Sequence, residues 1–69
     1  SKDSAVFAMT LYAIGAKLKD AKHFEAALKL LKESQRMFLS LEDRKFIVAV
    51  RSDIIEVLLK LDRFEEAFD

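Results

Sequence analysis

The sequence predicts an all-α protein built from antiparallel helix hairpins, stacked as an α-solenoid fragment with three full helices and the start of a fourth. Three observations predict it. The 69 residues include no Pro and a single Gly, so almost nothing interrupts a helix. Apolar residues recur with a helical period along three long stretches. The polar breaks between those stretches, Asp20-Ala21-Lys22-His23 and Ser40-Leu41-Glu42-Asp43, leave room only for short helix-to-helix connections.

The first helix is expected from Asp3 to Asp20. At about 3.6 residues per turn, Phe7, Leu11, Ile14 and Leu18 share an arc of roughly 60° and should form a buried stripe. Ala5, Met9, Tyr12 and Ala16 make a second apolar arc, leaving mainly Thr10, Lys17 and Lys19 as polar flanks. A helix this apolar all round needs neighbours on more than one side. The second helix, from Phe24 to about Leu39, places Phe24, Ala27, Leu28, Leu31 and Phe38 on one face and Glu25, Lys29, Lys32, Glu33 and Arg36 on the other. Glu25 with Lys29, and Lys29 with Glu33, are spaced to pair along an exposed face. The third, from Asp43 to Leu61, carries Phe46, Ile47, Val50, Ile54, Val57, Leu58 and Leu61 on one broad side, with Val48 and Ile55 as a lateral patch. Ser40 is the expected cap of this helix, with Asp43 in its first turn. After Asp62 and Arg63, the run Phe64 to Asp69 reads as the opening turn of a fourth helix, so the chain reads as a fragment ending inside a repeat. Residues 1–40 then make the first hairpin and 41–69 an incomplete second one.

Composition narrows the function. Hydrophobic residues at 52% and charged residues at 35% exclude a disordered tail and a membrane span. Twelve Lys plus Arg against twelve Asp plus Glu give zero net charge, so no bulk field draws the chain to DNA, RNA or an anionic bilayer. With no Cys and no basic, apolar and cleavable leader, cytoplasmic residence is the default expectation. No catalytic constellation is assembled. His23, between Asp20 and Glu25, reads as a surface or capping residue rather than a metal ligand. Ser34 and His23 match no triad signature, and Gly15 alone cannot make a phosphate loop. The acidic end formed by Asp62, Glu65, Glu66 and Asp69 lacks the alternating ligands and Gly of a calcium loop. Arg36, Arg44, Lys45 and Arg51 form a basic group that Glu42, Asp43 and Asp53 dilute, which ranks nucleic acid below a peptide partner. The expectation is a non-enzyme with no cofactor, no metal, no nucleic acid and no membrane partner.

The chain also repeats itself. Leu18 is followed six residues later by Phe24-Glu25-Ala26-Ala27, and Leu58 six residues later by Phe64-Glu65-Glu66-Ala67, an offset of forty in both cases. Ile14 pairs with Ile54 at the same offset, and Gly15 with Ile55. Small residues let two backbones approach, and an aromatic at the turn plugs the open end. The first unit, Leu11-x-x-Ile14-Gly15-x-x-Leu18 with Phe24-x-x-Ala27 and Leu31, resembles the tetratricopeptide repeat (TPR) family. The second unit, Ile54-x-x-x-Leu58 with Phe64-x-x-Ala67, departs from the pattern at Arg51 and Ile55 and lacks its second helix. The closing Pro is absent, and forty residues exceed the usual period of about 34. The longer spacing resembles the extended TPR variety of G-protein-regulating scaffolds and bacterial regulatory proteins. HEAT-like pairs and a simple three-helix bundle are the alternative folds.

The resemblance implies an adaptor or regulatory module that holds a partner's peptide or helix in an inner groove lined by the first helix of each unit. Carried onto matching positions, that groove comprises Met9, Tyr12, Ala16, Lys19 and Asp20, then Ala49, Ser52, Glu56, Leu59 and Lys60. Tyr12, Met9, Glu56 and Lys60 are the first choices. The competing reading makes Met9, Tyr12 and Ala16 packing residues against another helix or another copy, and makes Lys19, Glu56 and Lys60 a solvated face. Some TPR proteins clamp a terminal carboxylate with Lys and Asn; this chain has no Asn, so that mode is not expected. Homodimerisation through uncovered repeat surfaces is a further expectation.

Overall fold

The computed structural model describes residues 2–69, without the side chain of Lys2. Four helices follow in order: α1 (Lys2–Asp20), α2 (Phe24–Ser40), α3 (Arg44–Lys60) and the single turn α4 (Phe64–Ala67). Among the described residues no strand forms. The helices run back and forth. α2 packs along both α1 and α3, α4 packs on α3, and α1 touches α3 only sparsely. Thus α1 and α3 form one layer, α2 and α4 the other.

Each long helix stops in the same way. His23 N–H donates to the Leu18 carbonyl at 2.8 Å, Asp43 N–H to Phe38 at 3.1 Å and Arg63 N–H to Leu58 at 2.9 Å. These are the six-to-one bonds of a Schellman ending. The residue before each donor takes a left-handed backbone: Lys22 at φ 66°, Glu42 at 56° and Asp62 at 59°. Gly usually fills this position, because a Cβ there crowds the following carbonyl. Glu42→Gly is therefore expected to stabilise the fold by up to about 1 kcal/mol. Chemical denaturation read by circular dichroism checks this, and a loss of stability would contradict it.

The capping expectation needs one correction. Ser40 lies inside α2, and the cap of α3 is Asp43, whose side chain accepts from Phe46 N–H at 3.2 Å. The Schellman ending consumes residues through Asp43, so the next helix starts from that residue.

The core gathers Ala8, Ala27, Leu28, Leu31, Phe38, Val50, Ile54, Val57, Leu58 and Ala67. Ser34 is buried among them with its hydroxyl donating to the Leu31 carbonyl at 2.9 Å. Gly15 is buried against α2: a Cβ built there would lie 2.9 Å from Cγ and Cδ2 of Leu31. Gly15, Ala27 and Ala67 thus all face inward, where small size permits close approach of helices.

The stripe expected on α1 is rotated. Phe7 and Ile14 are 54% and 46% exposed, whereas Ala8 and Gly15 are buried. The contact with α2 is centred on the smallest residues of α1, and the large apolar ones flank it. On α3 the expected broad side is buried or half-buried throughout, but Val48 of the lateral patch is exposed. The expected pairing along α2 also differs: Glu33 pairs with Arg36, and Glu25 reaches Arg63 at 3.6 Å.

Candidate functional site

Tyr12 and Lys19 stand seven residues apart on α1, two turns along one line. Both point at α3. The Lys19 ammonium lies 3.2 Å from Oδ1 of Asp53 and 3.0 Å from Oε1 of Glu56. Its side chain is only 14% exposed, so it is not the solvated cation of the competing reading. The hydrogen bond to Glu56 holds its pKa above the ordinary lysine value, with Asp53 assisting and partial burial opposing.

Tyr12 serves the interior as well as the surface. Its ring meets Phe38 edge-on at 6.4 Å and Phe46 edge-on at 6.0 Å, while Phe38 and Phe46 stack at 4.8 Å. One aromatic from each of α1, α2 and α3 thereby joins the three helices. Burial first, then hydrogen bonding and the charge of Asp53, push the Tyr12 hydroxyl above its usual pKa, with Lys19 opposing.

The expected groove residues distribute unevenly. Tyr12, Lys19 and Glu56 come together, with half-buried Ala16 on the same side of α1 and half-buried Ala49 on α3. Met9 is 46% exposed at the edge of this group. Asp20 and Lys60 are exposed at the ends of their helices. Ser52 and Leu59 lie further around α3 from Asp53, beyond Glu56, and are exposed. Asp53 was not expected. Its signal lies in the spacing: it falls three residues after Val50 and four before Val57, so an acid borders the apolar stripe and calls for a cationic partner.

Tyr12 is the sole tyrosine, so tyrosinate absorbance reports this site alone. Its midpoint is expected above the ordinary value of about 10. Asp53→Asn should lower it, and Lys19→Gln should raise it further. A midpoint in the wild type at or below the free-tyrosine value would refute the partial burial of this hydroxyl beside the Asp53 charge. Both raised groups bind protons more tightly when folded. Their contribution is complete below about pH 10 and disappears as pH climbs through the raised values, so the melting temperature should fall in that alkaline window.

Among the described residues, no three His, Asp or Glu side chains gather to hold a metal ion. No described helix is long and apolar enough to cross a membrane. The face offers apolar Met9, an aromatic edge, and two carboxylates around one ammonium. Comparison with family models, curated proteins and solved structures returns no match for this chain.

Proposed function

We propose that the chain is a non-enzymatic protein-interaction module, TPR-like in its repeat, that holds a peptide or helical segment of a partner against the face shared by α1 and α3. The observation that carries this reading is the bridge from Lys19 to Asp53 and Glu56, which makes two helices present one continuous surface. One ammonium against two carboxylates leaves an acidic excess beside Met9 and Tyr12. A partner segment with a basic side chain next to an apolar one complements it. The module would act as an adaptor or scaffold, in the cytoplasm.

Selection from a displayed library of random peptides tests the reading. Enriched peptides should be basic and apolar, should shift amide resonances of α1 and α3, and should lose binding to Met9→Glu. Peptides that bind Met9→Glu equally, or that shift only α2, would refute it.

A second reading, a packing segment that associates with further helical units or with its own copies, is favoured by the apolar outer flank of α1. Val6, Phe7 and Ile14 are 62%, 54% and 46% exposed there.

A further inference from the structure

The forty-residue offset relates α1 to α3 and the start of α2 to α4, so residues 2–29 have counterparts at 42–69 whose surroundings are on view. Ile14, Lys17 and Leu18 correspond to Ile54, Val57 and Leu58. The α3 members of these pairs are 7%, 0% and 3% exposed, packed in the core to which α2 contributes. Their α1 counterparts instead line an open apolar groove of about 520 Å³, formed with Ala13 and Ala21. The counterpart relation therefore specifies what would cover the groove: a helix that stands to α1 as α2 stands to α3.

The turn α4 and the residues after it carry the start of such a surface. α4 is the counterpart of α2, and Phe68 corresponds to Leu28. Leu28 is 4% exposed, whereas Phe68 is 76% exposed. Leu59 corresponds to Lys19, and Ala13 and Ala16 correspond to Asp53 and Glu56. Where α1 meets α3 through an ion-pair bridge, the same step taken between two molecules sets an apolar Leu against two Ala. Glu25 lies 3.6 Å from Arg63 within the molecule, and the equivalent step sets Glu65 beside His23 of the next. The charges are complementary in sign: the α4 end carries exposed Glu65 and Asp69, and the α1 flank carries exposed Lys17 and Lys22.

We infer that copies of this chain associate head to tail, the α3–α4 end of one seating on the outer flank of α1 of the next with the step that relates α1 to α3. The inference rests on the packing reading and adds to it the partner, the two surfaces and the register. A contact between unlike patches leaves one free patch on each end of a pair, so further copies add until a ring closes or a filament grows.

Sedimentation of the 69-residue chain over a wide concentration range tests it. The weight-average mass should rise past the dimer value. Ile14→Glu removes the groove and Phe68→Glu removes its occupant; both positions are exposed, and circular dichroism verifies that each variant folds. Either variant alone should remain monomeric. Mixed together, they retain one intact pair of surfaces and should give a one-to-one dimer. A constant monomer mass for the wild type would overturn the head-to-tail contact and leave packing against further helical units in place. Continued self-association of Phe68→Glu, as a symmetric α1-to-α1 dimer would show, overturns the head-to-tail contact while leaving the packing reading in place.

Discussion

Phe38→Ala is expected to cost about 3–5 kcal/mol and to leave the chain largely unfolded at room temperature. Phe38 is 1% exposed, sits in the last turns of α2, stacks on Phe46 and receives the edge of Tyr12. Its removal empties the place where three helices meet, and the short connections hold the walls too firmly to collapse into it. A chain of this length has a total stability of roughly 3 to 10 kcal/mol, so the loss approaches the whole. Urea titration followed by circular dichroism measures it. Phe68→Ala is the control, because a ring 76% exposed should change monomer stability by no more than about 0.5 kcal/mol. If Phe38→Ala cost less than Phe68→Ala, the aromatic junction would not be the anchor of the fold.

Gly15→Val should destabilise by about 1–3 kcal/mol despite replacing the poorest helix former but Pro. A Cβ at this position would lie 2.9 Å from two side-chain carbons of Leu31 and 3.4 Å from its backbone nitrogen. Leu31 has no exposed surface, so it cannot swing into solvent to make room. α1 and α2 must separate, and the close packing of buried Ala8 and Ala27 loosens with them. A double-mutant cycle isolates the cause: in a Leu31→Ala background the added methyl groups find space, and the penalty should largely disappear. An unchanged penalty in that background would place the strain elsewhere.

The helices and their hairpin order are legible in the sequence, because Phe24-Glu25-Ala26-Ala27 and Phe64-Glu65-Glu66-Ala67 mark equivalent turns, and breakers are absent between them. The inward position of Gly15 and Ala27 is legible for the same reason. The orientation of α1 is not. Periodicity weights large apolar residues, and Phe7 and Ile14 drew the stripe toward themselves, while the contact itself is made by Ala8 and Gly15. On an almost wholly apolar helix, the side that packs is decided by how closely a neighbour can approach. The turns hide their geometry too, since Lys22, Glu42 and Asp62 hold left-handed backbones that their residue types do not advertise.

Of the candidate surface, Tyr12, Lys19 and Glu56 were legible as one group, and Asp53 was not. Counting a charge as solvent-facing by its type alone misplaces Lys19, whose two carboxylate partners sit 34 and 37 residues away in the chain. Long-range pairing of this kind leaves no local signature beyond an acid at the margin of an apolar face.

The sparse tie between α1 and α3 gives the molecule an unequal stiffness. On the α2 side, interlocked side chains resist bending. On the opposite side an ammonium grips two carboxylates, one of them half in water, and ionic strength weakens that grip. Parting of α1 from α3 is therefore expected to be easier than parting of either from α2, and easier still as dissolved salt rises, with the Tyr12–Phe46 ring contact as the hinge that salt leaves intact.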